Sequence, residues 1–191
     1  MLEVTSCPSG VTRLRNLANF VLFQIGWCVA VLYPGTLSAL VSLAVVLVHL
    51  TFISAFPQRE LRFIIMTVVL GSMLDVGHLT LGFLAFPGHE GAYAEGMIPL
   101  WLVTLWAVFA SAINHCLYWM RHNALVLYGL PPFAGALAYY SAERMGAIEI
   151  GHGLGGIIAI AAGWGLVYPL LVRISQWLES TEEDSLAEQR W

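Results

Sequence analysis

The sequence predicts an all-α membrane protein: a polytopic bundle of about six transmembrane helices that forms one domain over residues 1–173. Two observations predict this class. Hydrophobic residues make up 59% of the chain and charged residues only 10%, whereas a soluble domain carries about 25% charged residues. The apolar residues also fall into long runs, too continuous for the alternating strands of a membrane barrel. Because too few charges remain to cover a soluble surface, the expected solvent is a bilayer.

Six runs approach the length of about 20 apolar residues that a spanning helix needs. In chain order they are Leu17–Tyr33, Leu37–Phe56, Phe63–Leu84, Pro99–Met120, Ala124–Ser141 and Leu154–Val172. No cleavage site follows the first run, which we expect to stay in the mature protein. Pro99 suits the first turn of a helix, where the backbone N–H has no partner. Pro131-Pro132 interrupts the fifth run, so we expect that helix to bend or unwind.

The arginines predict the orientation of the bundle. Seven of the eight fall on one side of the predicted spans, and only Arg144 falls on the other. Cytoplasmic loops carry the excess of basic residues, so we expect both termini in the cytoplasm and the loop with His89 and Glu90 outside. We expect residues 174–191 to form an acidic cytoplasmic tail that begins at the membrane interface and is solvated, with a cap for one more short helix at Ser180–Glu183 as the alternative.

The remaining composition argues against several other classes. The basic residues are scattered, so the sequence predicts no nucleic-acid surface. Three cysteines lie far apart, which fits neither a disulfide framework nor a zinc pattern. No two histidines have the spacing of a metal motif, so the sequence predicts no metal site and no cofactor. A site assembled from histidines of separate helices is the one metal alternative that stays open.

Asp75 is the only acid inside a predicted span, and it lies near the middle of its helix. Ser72, Asp75 and His78 are spaced three residues apart and therefore share one helix face. Polar groups are costly in hydrocarbon, so they mark either helix contacts or function. Four predicted helices carry polar side chains, and the fourth also carries a tryptophan far from the membrane interface. We predict that these residues bind a ligand: Gln24, His49, Asp75, His78, Trp106, Ser111, Asn114 and His115.

Two interpretations of Asp75 stay open. In the functional one, the catalytic residues are unknown but Asp75 and His78 are the candidates, with the acid as proton carrier, general base or partner of a charged substrate. In the structural one, hydrogen bonds merely lock the helices together, and Asp75 is paired or protonated. Both predict that Asp75 faces the bundle interior. It should contact a polar side chain of the first, second or fourth helix, or line a cavity.

A stripe of small residues recurs every four positions in the sixth run, where it lets another helix backbone approach closely. Its members are Gly151, Gly155, Ala159 and Gly163. The stripe would serve internal packing, a homo-oligomer or a membrane partner equally well.

Four segments carry a resemblance to a known family. They are Gly71–Asp75, Pro99–Ala110, Asn114-His115 and Glu143–Ala147. Together they resemble a family of small bacterial inner-membrane proteins known as domain of unknown function 2878. The resemblance extends from about Asn16 to Val172, and the run PLWLVTLWAVFA is its most specific part. Pro131-Pro132 departs from the glycine-rich sequence that the resemblance leads us to expect.

The resemblance implies a multi-pass protein of the bacterial inner membrane without an assigned activity. Relatives often appear beside genes for enzymes that resemble cyclopropane-fatty-acid synthases, which implies a link to lipids. We therefore expect a protein that binds or handles a lipid-like molecule, with membrane lipids as its partners. The alternatives are an intramembrane lipid-modifying enzyme, a small proton-coupled transporter and a non-catalytic subunit of a larger membrane complex.

Overall fold

The computed structural model describes residues 10–87 and 97–188, with side chains of the last helix described as far as Thr181. Six α-helices lie within these residues: α1 Gly10–Leu32, α2 Thr36–Val48, α3 Pro57–Thr80, α4 Leu100–Ile113, α5 Ala124–Arg144 and α6 Leu154–Glu188. A π-helical turn, His49–Ile53, extends α2, and a 3-10 turn, Tyr118–His122, precedes α5. The predicted outer loop with His89 and Glu90 lies outside the described residues, as does Arg190.

The all-α class is confirmed. Four helical segments are long and apolar enough to cross a membrane: α1, α2 together with its π-helical turn, α3, and α6 as far as Thr181. α4 is apolar but has only 14 residues. α5 has 21 residues and contains both Pro131 and Pro132. The apolar helices together indicate a membrane protein.

α4 is the central helix of the bundle, and it packs against α1, α2 and α3. Ten of its 14 residues are buried. Small residues permit this: a Cβ on Gly26 of α1 would lie only 2.8 Å from Cγ1 of Val108. α5 and α6 pack mainly against each other, and α6 joins them to the rest of the bundle through α3.

The two ends of the bundle differ in structure and charge. Two short antiparallel strands, β1 Leu84–Ala85 and β2 Glu149–Ile150, close the end at which α3 and α5 finish, here called the β end. The Glu143 side chain accepts the Ile150 N–H at 2.8 Å and holds β2 against α5. At the opposite end, here called the basic end, α3 begins with Arg59 and Arg62 and the 3-10 turn carries Arg121.

Several predicted helix boundaries are wrong. The fourth run was expected to be helical as far as Met120, but α4 stops at Ile113 and the chain turns through residues 114–117. α5 stays helical through both prolines, so it does not unwind there. The sixth helix was expected to end at Val172 before the acidic tail, but α6 continues to Glu188. No glycine or proline interrupts residues 170–188, so nothing local ends α6 earlier.

The stripe of small residues divides into an inward and an outward part. A Cβ on Gly163 would lie 2.8 Å from Leu74 and 3.1 Å from His78, so Gly163 packs directly against α3. Gly155 is exposed, and a Cβ there would meet only the nearby His152 at 3.8 Å. Internal packing therefore accounts for Gly163. Contact with another chain is kept as a proposal for the outward-facing Gly155.

We predict that Gly163→Leu lowers the melting temperature in detergent far more than Gly155→Leu. The larger side chain at Gly163 must push α6 away from α3, and overpacking of this kind costs about 1–3 kcal/mol. Gly155→Leu is the control, since it makes the same substitution in the same helix without the clash. Equal melting temperatures for the two variants would contradict the α3–α6 contact.

Candidate functional site

Two stacked indole rings lie at the centre of the candidate site. Trp106 of α4 and Trp164 of α6 have ring centroids 5.2 Å apart and planes within 19° of parallel. A glycine faces the outer side of each ring: a Cβ on Gly71 of α3 would overlap Trp106, and one on Gly135 of α5 would overlap Trp164. Only residues without a Cβ allow rings to approach the backbone so closely. Four helices therefore meet around this tryptophan pair.

Asp75 lies one helical turn after Gly71 and accepts two hydrogen bonds. Trp106 Nε1 donates to Oδ2 at 2.7 Å, and the Tyr139 hydroxyl donates to Oδ1 at 2.5 Å. The Asp75 side chain is fully buried. Because each oxygen has a donor, the site suits an ionised carboxylate, which can only accept. His78 Nδ1 stands 3.9 Å from Oδ1, too far for a hydrogen bond.

The prediction that Asp75 faces the interior and contacts the fourth helix is confirmed, with Trp106 as the contact. Tyr139 of α5 was missed. A sequence signal for it exists: Gly135 precedes Tyr139 by four residues, as Gly71 precedes Asp75. On both helices the glycine makes room for an indole ring, and the polar residue of the next turn joins the same hydrogen-bonded group.

A cavity of about 490 Å³ lies between α1 and α5, with α4 and α6 as its base. Binding pockets for small molecules commonly measure about 300–1,000 Å³. The walls are mostly apolar and rich in aromatic rings, among them Phe23, Trp27, Phe109, Trp164 and Tyr168. The innermost lining includes the buried Trp106 and Tyr139, whereas Leu137 at the edge is 64% exposed.

The structure divides the predicted ligand-binding residues among three places. Gln24 and Trp106 line the cavity. Asp75 and His78 are not among the lining residues, and Asp75 is held by two that are, Trp106 and Tyr139. The other four lie in a separate polar cluster toward the basic end. They are His49, Ser111, Asn114 and His115.

Asn19 of α1 organises the polar cluster at the basic end. Its Nδ2 donates to the backbone oxygen of Ser111 at 3.0 Å and lies 3.1 Å from Nδ1 of His49. Its Oδ1 accepts the backbone N–H of Cys116 at 3.2 Å. These two backbone partners fix the orientation of the amide, so Asn19 donates to His49 Nδ1. The neutral His49 ring consequently carries its proton on Nε2.

A chain of polar contacts links this cluster to the surface of the basic end. Arg121 Nη1 lies 3.1 Å from both carboxylate oxygens of Glu179, and Nη2 donates to Asn114 Oδ1 at 2.8 Å. Ser175 donates to the same Asn114 oxygen at 2.6 Å. Asn114 Nδ2 in turn reaches Glu60 Oε1 at 3.4 Å. This series of polar contacts therefore ends inside the bundle at the carboxyl group of Glu60.

Glu60 corrects the expectation that Asp75 is the only acid within a helical span. The segment Pro57–Glu60 reads as a loop because it is polar, but Pro57 begins α3 and places Glu60 in its first turn. Glu60 is only 3% exposed. His49 Nε2 stands 3.8 Å from its Oε1.

The fold and the cavity define a helical membrane protein whose internal space is enclosed by aromatic side chains. The match to a family model over residues 16–170 makes the assignment more specific: the chain belongs to DUF2878, a family of proteins of unknown function. The resemblance found in the sequence is thereby confirmed. No curated protein and no solved structure matches the sequence.

We predict that Asp75→Asn destabilises the protein and that adding Tyr139→Phe recovers part of the loss. Asparagine offers one oxygen to two donors, so one buried donor loses its partner at a cost of about 1–3 kcal/mol. Phenylalanine at position 139 removes that donor, and the two changes should therefore be non-additive in thermal unfolding. Ser72→Ala on the same helix is the control, because Ser72 Oγ makes no hydrogen bond to other described residues. Simple additivity would contradict the shared carboxylate.

Proposed function

We propose that the protein binds a lipid-like molecule in the cavity between α1 and α5, with the apolar chain of the ligand inside. One observation supports this above the others: the cavity lies between two helices of an apolar bundle and has largely apolar, aromatic walls. In a bilayer, the exposed edge formed by residues such as Leu137 would face hydrocarbon. An acyl or isoprenoid chain could then enter sideways without crossing water.

The inner wall of the cavity favours the apolar part of a ligand over its headgroup. Tyr139 and Trp106 line the wall, but both donate their polar hydrogens to Asp75. A buried group already satisfied in this way offers little to a polar ligand atom. The aromatic rings around it supply broad apolar surface instead. The proposal therefore concerns a long apolar chain rather than a sugar, a nucleotide or an ion.

The proposal also covers the location of the protein. We place it in the inner membrane of a bacterium, as the family resemblance implies, with both termini in the cytoplasm, as the arginine distribution favours. In this orientation the basic end faces the cytoplasm and the β end faces outward. Arg144, in the last turn of α5, is then the outward arginine.

We predict that Ala138→Phe abolishes lipid-like binding. Ala138 lines the cavity, and a phenyl ring there fills space that the ligand needs. Native mass spectrometry of protein extracted gently from membranes should detect a bound lipid-like species on the wild type and lose it on the variant. Ala162→Phe makes the same change at an exposed position of α6 and should keep the ligand. A wild type without bound ligand, or equal occupancy of both variants, would refute the proposal.

A second candidate function is an enzyme that uses Tyr139 in acid–base chemistry on the bound lipid. The observation that favours it is the 2.5 Å hydrogen bond from Tyr139, which lines the cavity, to the buried Asp75. A tyrosine backed by a carboxylate can exchange a proton with a substrate beside it. Asp75 would then act through Tyr139, as a positioning residue, without contacting the substrate.

Tyr139→Phe separates the enzyme from the binding protein. The ring stays in the cavity wall and only the hydroxyl is lost, so we predict that bound lipid persists in native mass spectrometry. If Tyr139 is catalytic, the variant should leave uncorrected any lipid change found in a deletion strain, at matched protein levels in the membrane. Full correction of the lipid profile would exclude the acid–base role and leave the binding proposal standing.

A further inference from the structure

Three side chains with metal-ligand atoms converge at the basic end, outside the cavity. His49 comes from the π-helical turn, Glu60 from the first turn of α3 and His115 from the turn after α4. One ligand atom from each lies within 4.8 Å of the other two. The two imidazole centroids are 4.6 Å apart and the rings are tilted by 51°. Three separate chain segments thus bring their donor atoms around one small volume.

One nitrogen of each imidazole in this cluster lacks a hydrogen-bond partner among the described residues. His49 is fully buried and Glu60 is 3% exposed. Nε2 of His49 and Nε2 of His115 are both buried and make no hydrogen bond there. The 3.8 Å between His49 Nε2 and Glu60 Oε1 is too long for a direct bond. Because buried polar groups are normally satisfied, a small occupant between these atoms would explain the arrangement.

We propose that His49, Glu60 and His115 bind a divalent transition-metal ion of the zinc class. Two imidazoles with one carboxylate are a ligand set that zinc uses, with a further position left for water. Zinc bonds of about 2.0–2.2 Å in a tetrahedron place ligand atoms roughly 3.4 Å apart. The 3.8 Å separation of His49 and Glu60 is therefore close to what the ion requires. The site needs only small side-chain movements to close.

Before an ion binds, the surrounding contacts position two of the three ligands. Asn114 positions Glu60 and is itself held by Arg121 and Ser175. Asn19 contacts Nδ1 of His49, leaving Nε2 as the atom that faces Glu60. Binding the ion through Nε2 moves the ring proton to Nδ1 and breaks the hydrogen bond from Asn19. One hydrogen bond is a small loss beside the free energy of metal binding.

The metal site goes beyond the lipid-binding proposal and can be tested without it. The chain would be purified in detergent with an affinity tag that contains no histidine, stripped with a chelator and titrated with Co²⁺. We expect one Co²⁺ per chain with visible absorption typical of four or five ligands, and Zn²⁺ should displace it. Zn²⁺ should also raise the melting temperature of the wild type, since it binds the folded chain.

Single substitutions assign the ligands. His49→Ala and His115→Ala should abolish the Co²⁺ absorption, and Glu60→Gln, which keeps the size of the side chain, should weaken binding at least about tenfold. His122→Ala and His152→Ala remove exposed histidines and should leave binding unchanged. Absence of stoichiometric binding to the folded wild type would overturn the proposal. So would undiminished binding by Glu60→Gln, or binding that depends on His122 or His152.

Discussion

The carboxylate of Asp75 has to be satisfied inside the bundle, and much of the structure is arranged around that requirement. Left ionised and unpaired in an apolar interior, it would cost several kcal/mol or more. Its two donors come from α4 and α5, so the relative positions of α3, α4 and α5 are tied to one side chain. Stacking of Trp106 on Trp164 adds α6 to the group. Trp106, Tyr139 and Trp164 also line the cavity, so the same hydrogen bonds and ring stacking fix the position of its inner wall.

Composition was enough to predict the class, and the apolar runs were enough to locate all six helices, because both depend on the solvent rather than on particular contacts. The interior position of Asp75 followed from its cost in hydrocarbon. Tyr139 could not be found in this way, since a tyrosine in an apolar run looks like any packing residue. Glu60 was missed because its sequence neighbours are polar, so the segment was assigned to a loop rather than to α3. Just beyond the end of α4 the Cys116 N–H donates to Oδ1 of Asn19, and no local feature of residues 114–120 reveals this contact across the fold.

The polar cluster around Asp75 and the one around Glu60 differ in which of their atoms have hydrogen-bond partners. Around Asp75, each carboxylate oxygen has its donor, whereas Nδ1 of the neighbouring His78 has no partner among the described residues. Around Glu60, the imidazole nitrogens that face inward have no partner among the described residues. About 12 Å of helix axis separates Trp106 from Asn114 along α4. The carboxylate beside the apolar cavity thus has a donor for each oxygen, whereas two imidazole nitrogens near the basic end have no partner among the described residues.

The shortness of α4 gives the bundle an uneven thickness. Fourteen residues rise about 21 Å, whereas the hydrocarbon core of a bilayer is about 30 Å thick. Beyond α4 the chain continues as turns over residues 114–117 and then as the 3-10 turn. Membranes tolerate irregular chain only where protein groups satisfy the backbone. Asn19 does this for Ser111 and Cys116. At the basic end α4 is therefore followed by hydrogen-bonded turns, and the Arg121–Glu179 ion pair lies beside Asn114 where the helix stops, so polar groups line the interior there.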